Sequence, residues 1–581
     1  MKYKLIGTNH YENPLRTFLE NREVKDIDKY IYPDDSVIIP YHNLTDIDKA
    51  VKVYQKHIEN NNKICVLVDP DVDGFTSAAM IYNYTRSINP DCELTYVLHD
   101  GKEHGLTSEI VIPDDIKLLI IPDGGTNDTQ QCQELTNKGI DIIILDHHEK
   151  EIDNPYAIIV NNQCCDYANK NLCGAGIVYK FLQACDEEMW NEEADNYIDL
   201  VALGNIGDNM DMRELETKHL VSSGLNAICN KFFETLLEAQ SYYFPDGTTI
   251  IGVQFYIVPL INALIRIGTQ EEKIFVFRAF IEDESETFEY KKRGAKEFTQ
   301  ENIYEKATRL CKNAKSKQGR ILDKQLPIIL EHIENKKQYA NEVIVSNVTD
   351  FIQPTLTGVV AIKVAAHYKK PCALLIDRGE GKYGGSVRVP DSSPIVNFKD
   401  LLNMSKCFVA QGHQSACGVA AHSSDIKNGI KWLNDYINKN NLTGTIDTPV
   451  DFAIDYKDLN MGFFNDIASL KPYYGQRLDE CNILIRNIPV IPKDTLVRGT
   501  DLNTWCTKIC DESIELIRFK CNENDEILGY AREVKKLIDE ESSIPQQLSE
   551  PIFINVIGKC GYNYYNGIKT AQIIIEDYEV I

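Results

Sequence analysis

The chain has 581 residues, 43% of them hydrophobic, 25% charged and 9% aromatic, which predicts about three or four domains and excludes a disordered or fibrous protein. A formal net charge of −26 and a pI near 5.0 argue against a passive nucleic-acid coat, which would be basic overall. They leave room for a nuclease, because metal sites need carboxylates and a local basic groove can sit on an acidic body.

Residues 1–60 read as a polar helical segment packed on the domain that begins after it, with apolar residues at helical spacing in DIDKAVKVYQKHI. From Lys63 the pattern changes. KICVLVDPDVDG is a short apolar run that ends in Asp69, Asp71 and Asp73. Ile116–Ile121 is a second run, ending in Asp123. Ile140–Leu145 is a third, ending in Asp146, His147 and His148. Such uninterrupted β-branched runs are the signature of strands buried on both faces of a parallel sheet. TSAAMIYNYTRSI and TQQCQELTNKG between them read as helices, giving βαβα alternation. A fourth apolar segment, DLVALGNIGDNMDM, ends near Asp208. Ligands of parallel sheets bind beyond the carboxyl ends of the strands, so four clusters are expected at one edge of an α/β domain spanning 61–230.

Residues 231–340 are expected to be a helical connector, with the charged stretch DESETFEYKKRGAKEFTQENIYEKATRLCKNAKSK as a long exposed helix between two lobes. A second α/β region occupies 341–435. A small β-domain closes the chain over 445–581, ending in a strand, an Asn-Gly turn and a strand. The 17 Cys include no C-x-x-C pair, so neither structural zinc nor thioredoxin-type chemistry is supported. The opening MKYKLIGTNHYENP has no apolar h-region, and no apolar run approaches about 20 residues. A cytoplasmic protein with reduced thiols and no membrane span is expected.

The acidic clusters each have two readings. D-x-D after a strand is a common helix N-cap, Asp123 before Gly124-Gly125 can be an ordinary turn, and Asp208 alone is weak. Taken together they form a metal site. Asp71 and Asp73 turn toward one point, with Gly74 freeing the backbone to start the next helix. Asp123 is well placed to bridge two ions, His147 offers an imidazole nitrogen and Asp208 would close the cluster. Mixed carboxylate and imidazole ligands suit Mn²⁺, whereas Mg²⁺ prefers oxygen throughout. Two ions about 3.5–4 Å apart support in-line hydrolysis of a phosphodiester. Asp69 and Asp146 fit orienting roles, and His148 can contact the phosphate or move a proton.

At these residues the chain resembles the DHH phosphoesterase superfamily, and within it the RecJ-type single-strand exonucleases. DPDVDG, PDGG, DHH and LGNIGDNMDM resemble the four family motifs in order. The resemblance continues through LHDGKEHGLTSE, LCGAGIVYK, PLINALIRIG, GGSVR at 384–388, QGHQSACG at 411–418, KPYYGQ and NYYNGIKTAQIIIED. It implies a DHH catalytic domain, a DHH-associated α/β domain and a terminal OB-fold. It also implies a 5′→3′ exonuclease on single-stranded DNA that uses two Mn²⁺ or Mg²⁺ ions, releases 5′-mononucleotides and serves DNA repair and recombination. Asp69, Asp146 and His148 would be catalytic, and Asp71, Asp73, Asp123, His147 and Asp208 metal ligands. Ser386, Arg388, Gly412 and His413 would bind substrate across a cleft, and aromatic residues such as Tyr562, Tyr564 and Tyr565 could stack bases or fill the β-domain core. A monomer working with a helicase or a single-strand-binding protein is expected. Leu260, Ile265, Lys218, Gln411, Gly207 and Asn209 depart from the family pattern. Two alternatives stand: a DHH enzyme acting on short RNA oligonucleotides, and an inactive replication scaffold, against which the filled ligand positions argue.

Overall fold

The computed structural model describes every residue except 102, 108, 109, 293, 295 and 566. The three apolar runs form the centre of a five-stranded, all-parallel sheet. Its order is Leu94–Leu98, Ile64–Val68, Leu118–Pro122, Asp141–Asp146 and Ile158–Asn161. Side chains alternate across it as the strand period requires. Ile64, Val66, Val68, Ile120 and Leu145 face the helices Val72–Ile88 and Gly174–Met189 in one core. Cys65, Leu67, Leu119, Ile121 and Ile144 face the other core with Cys132 of the helix Thr129–Asn137. The strand after Ile64–Val68 lies on one side of it, and the next lies on the other. This reversal opens a crevice at the carboxyl ends of Ile64–Val68 and Leu118–Pro122, where Asp69, Asp71, Asp73 and Asp123 stand.

The second lobe is a mixed five-stranded sheet in the order Val409–Gly412, Ala416–His422, Lys382–Arg388, Cys372–Asp377 and Ile344–Asn347. One face packs Leu374 and Ile376 on Leu322, Ile329 and Ile333 of the helix Ile303–Asn335. The other packs Leu375 and Val387 on the helices Phe398–Met404 and Ser423–Lys439. A terminal OB-like β-domain holds a seven-stranded sheet. Its closing strands Ile552–Tyr565 and Ile568–Val580 are long, 14 and 13 residues. The Asn566 of the expected turn lies outside the described residues. This domain shares one continuous apolar core with the first lobe, and Phe18 meets Tyr474 edge-on at 5.8 Å.

The structure corrects several other expectations. Residues 1–60 are not wholly helical, since Tyr3–Leu5 pairs with Thr448–Val450. The charged connector is not one helix. Phe288–Tyr290 and Thr299–Glu301 form a short antiparallel pair, and the 33-residue helix starts at Ile303, where an Asn302–Glu305 capping box satisfies its first N–H groups. Ile250–Ile267 is long and apolar enough to cross a membrane by length and composition, with a mean hydropathy of 1.8. It is broken at Ile257 into two helices, and Val253, Ile257, Ile261 and Leu264 are fully buried in the core.

Candidate metal centre

Asp69 leaves the Ile64–Val68 strand fully buried, accepting from the Gly105 N–H at 2.9 Å and bonded to His104. His99 Nε2 lies 3.9 Å from Oδ1, the oxygen that Gly105 also bonds. Asp71 does cap the helix Val72–Ile88, through the Gly74 N–H at 3.0 Å. Burial and the Asp69 charge push its carboxyl up. Gly74 is needed for space and not for backbone freedom: a Cβ there would stand 2.5 Å from Asp69 Cβ. Asp73 accepts from the N–H groups of Gly174 (2.7 Å) and Ala175 (2.9 Å) at the start of the helix Gly174–Met189, where a helix terminus favours negative charge. Burial, Asp208 and Asp71 still push it up to about 7.

Asp123 sits in the left-handed region, φ 62°, and Gly174 packs so closely that a Cβ would lie 2.6 Å from Asp123 Cβ. Burial and the charge of Asp73 raise its carboxyl well above the usual range. His147 Nε2 is 3.2 Å from Asp123 Oδ1, 3.5 Å from Asp208 Oδ2 and 3.9 Å from Asp73 Oδ2. Burial, with His148 beside it, pulls His147 down to about 4, so at neutral pH it is uncharged and has a lone pair to offer. Asp208 is not at a strand end as expected. It is the C-cap of the helix Ile198–Gly207, an apolar segment buried all round.

Asp146 anchors the loop after its strand. It accepts from Thr126 Oγ1 (2.6 Å), the His147 N–H (2.7 Å) and His148 Nδ1 (2.7 Å). Burial would raise it, but His148 holds it far below the usual carboxylate range. In return, and against burial, Asp146 raises His148 to about 10, which makes His148 a cation.

Among the described residues, three groups bring donor atoms within 4.8 Å of one another: Asp123, His147 and His148; Asp73, His147 and Asp208; and Asp69, Asp71 and His104. Asp71 thus groups with Asp69 and His104, and its charge is felt by Asp73 and Asp123. Among the described residues, Asp123 Oδ1 and Asp208 Oδ2 are buried without a hydrogen-bond partner. Unsatisfied buried acceptors cost free energy, and these two flank the neutral His147. The donor set of carboxylate oxygens and one imidazole fits divalent ions such as Mn²⁺ and Mg²⁺.

The second lobe closes over this edge. His413 Nε2 lies 3.7 Å from Asp208 Oδ1, after Gly412 in a left-handed turn at φ 113°. Lys399 bonds Glu149 at 3.0 Å and Gln411 bonds Glu151 at 3.1 Å. Arg388 ends its strand with burial and Arg266 both lowering it. Arg266 is itself lowered by burial and drawn back up by Asp71. Ser386 is buried, its Oγ 2.8 Å from Thr357 Oγ1. The departures have local reasons. Leu260 and Ile265 are core residues, Lys218 bonds Pro472 O at 3.2 Å, Gln411 makes an interlobe contact, and Gly207 meets Val72. Asn209, at φ 56°, accepts from Gln254 at 2.9 Å. Sequence reasoning missed His99, His104, Thr126, Gly174 and Arg266. All but Thr126 lie in segments that resembled the family, but no polar cluster singled these residues out.

The chain matches the DHH family, N-terminal domain, over residues 63–205. It is 37% identical over 587 residues to an SPbeta prophage-derived protein of Bacillus subtilis provisionally named a single-strand DNA-specific exonuclease, covering 100% of this chain and 98% of that one. It is 22% identical over 570 residues to the single-stranded-DNA-specific exonuclease RecJ of Bacillus subtilis, covering 95% of this chain and 65% of that one. The fold matches that of RecJ from Thermus thermophilus, solved in complex with Mn²⁺, with a TM-score of 0.70 at 16% identity, over 100% of this chain and 78% of that one.

Proposed function

Since the chain belongs to the RecJ-type branch of the DHH family, we propose that it is a two-metal exonuclease that hydrolyses phosphodiester bonds of single-stranded DNA 5′→3′ and releases 5′-mononucleotides. The observation that carries this reading is the pair of orphaned oxygens, Asp123 Oδ1 and Asp208 Oδ2, beside His147 Nε2. Asp71, Asp73, Asp123, His147 and Asp208 would hold two Mn²⁺ or Mg²⁺ ions. Bound there, the ions would supply water activation and charge neutralisation at the scissile phosphate.

The chain's own residues do the rest. The helix N-terminus at Gly174 fixes both oxygens of Asp73. Asp69 ties the strand end to His104 and Gly105. Asp146 locks the loop so that His147 faces the carboxylates, and it keeps His148 protonated as a cationic donor for a phosphate oxygen. Arg388 presents a further cationic donor from the facing lobe, and His413, drawn upward by Asp208, stands beside it with Gly412 giving it its turn. Ser386, two residues before Arg388 on the same strand, is tied to Thr357. A helicase or single-strand-binding protein supplying the strand, action as a monomer and a cytoplasmic setting belong to the same proposal.

The test is digestion of a 40-mer single strand labelled at either end, in Mn²⁺, Mg²⁺ or EDTA, beside a dinucleotide. The expected result is metal-dependent release of mononucleotides from the 5′ end, lost in Asp123→Ala and His147→Ala with the fold intact by circular dichroism. Preference for the dinucleotide, or no hydrolysis by the wild type in any divalent ion, would overturn it.

A further inference from the structure

A group of exposed aromatic side chains is linked to the metal cluster through Asn209, the residue after Asp208. Asn209, next to Asp208, accepts from Gln254 at 2.9 Å. Gln254 lies on the short helix Ile250–Tyr256, whose next two residues are Phe255, 61% exposed, and Tyr256, 38% exposed. Tyr256 stacks on Tyr243 with ring centroids 3.7 Å apart and planes 12° from parallel. Tyr242, 70% exposed, meets Tyr243 edge-on at 5.4 Å. Three residues on, the Asp246 carboxylate accepts from Tyr564 of the terminal hairpin. There Lys569 lies 5.3 Å from the Tyr564 ring and 4.0 Å from the Tyr562 ring. A chain of contacts thus runs from the cluster to the terminal domain.

Large aromatic rings left in water are not needed for the fold, because core residues such as Val253 and Ile250 already bury this segment. Their neighbours are the metal cluster at one end and a lysine above two tyrosines at the other. We propose that Phe255, with the Tyr243–Tyr256 pair, is a stacking step for the bases of a single strand whose end lies in the metal cluster, handing the strand on to Tyr564 and Lys569. Rings accept any base because every base has a π-face, and the lysine contributes both cation–π contact and attraction for phosphate. Asp246 and Glu480, the latter close to Tyr256 and bonded to Lys559, keep this stretch from being broadly basic, so stacking carries the contact. The inference rests on the exonuclease reading and names a contact outside the metal cluster.

The experiment uses the full chain. Binding of oligo(dT) of 3 to 30 nucleotides is followed by fluorescence anisotropy in EDTA, and Mn²⁺-dependent hydrolysis of the trimer and the 20-mer is followed in parallel. Phe255→Ala should weaken 20-mer binding about tenfold or more, from the usual worth of a base–aromatic stack, and the preference for the 20-mer over the trimer should collapse. Phe255→Trp should restore both. A 20-mer of abasic sites should bind wild-type protein at least as weakly as the ordinary 20-mer binds Phe255→Ala. Equal 20-mer affinity in wild type and Phe255→Ala would overturn the proposal. So would wild-type binding of the abasic strand as tight as that of the normal one. Self-association of the wild type, abolished by Phe255→Ala in sedimentation, would also overturn it by assigning the patch to a second copy. A wild type that binds long strands through Phe255 but hydrolyses nothing would sink the exonuclease reading and leave the stacking step standing.

Discussion

Gly174→Ala probes whether the metal centre is held by close packing behind it. The added Cβ would stand 2.6 Å from Asp123 Cβ, 2.8 Å from its Oδ1 and 2.9 Å from its Cα. Ordinary contact begins near 3.4 Å, so Asp123 or the helix start must retreat by roughly 0.8 Å. Gly174 is not in the left-handed region, so the conflict is steric alone. Overpacking of this kind costs about 1–3 kcal/mol. The same shift moves the Gly174 N–H, which holds Asp73 at 2.7 Å. Two proposed ligands are disturbed at once, and a misplacement near 1 Å can lower a rate about a hundredfold. Mn²⁺-dependent hydrolysis of a 5′-labelled strand at saturating substrate measures the rate, and urea unfolding in EDTA measures stability, with a lower midpoint and an unchanged slope expected. Gly319→Ala is the control. It lies within the helix Ile303–Asn335, its Cβ would meet nothing within 4 Å, and it should gain about 0.5–1 kcal/mol without loss of activity. A Gly174→Ala protein with wild-type rate and midpoint would refute the packing argument.

Two further outcomes are expected from charge. Burial pushes Asp128 up to about 6, although the Leu106 N–H bond opposes it and Asp146 and Asp69 add to it. Its proton is held more tightly folded than unfolded, where the value is about 3.9. Asp128 therefore costs stability as pH rises through about 4 to 6, and that cost persists above this window. Asp128→Asn keeps an acceptor for Leu106 and should stabilise the metal-free protein at pH 8 by about 1–2 kcal/mol, a shift of two units reduced for partial exposure. Urea unfolding in EDTA should show the gain disappearing near pH 4, and a gain unchanged between the two pH values would contradict the assignment. At the cleft mouth, Lys399→Glu should open the lobes only modestly, by less than about 1 kcal/mol, because Glu149 is exposed. Pairing it with Glu149→Lys should restore the wild-type radius of gyration in X-ray scattering at low salt. A double variant as expanded as the single would show that this pair does not hold the lobes.

The parallel sheet and its acidic edge were legible because strands buried on both faces leave an unbroken apolar run, and the first polar residues after each run must fall at the sheet's carboxyl edge. Asp208 was placed at that edge for the wrong local reason. Ile198–Gly207 is apolar all round, and periodicity cannot separate a buried helix from a buried strand. The connector misled in the opposite way: its charges suit an exposed helix, yet only the Asn302–Glu305 box starts one, and residues before it pair as strands. Gly74 shows a limit of another kind. Its place after D-x-D suggested backbone freedom, whereas the structure requires absence of a side chain against Asp69. Such contacts, like that of Gly174 with Asp123, depend on residues 5 and 51 positions apart being brought together by the fold. His104 was hidden for the same reason, 35 positions from the Asp69 it holds.

The way the acids are satisfied separates architecture from ligand binding more sharply than their number does. Asp69 has Gly105 and His104, Asp71 has Gly74, Asp73 has two helix N–H groups, and Asp146 has Thr126, two loop N–H groups and His148. These bonds hold the carboxylates from behind. What they leave over, Asp123 Oδ1 and Asp208 Oδ2, converges on Nε2 of an uncharged His147. A site evolved only for packing would place a donor there, since a buried acceptor without one costs about 1–3 kcal/mol. The cations are arranged to the same effect. His148 and His413 stand at the rim of the cluster, and Arg266 and Arg388 remain near enough to repel each other. A chain of net charge −26 thus keeps positive groups beside its densest negative charge. Divalent ions would neutralise the carboxylates, and the histidines and arginines would then be left facing a polyanionic strand.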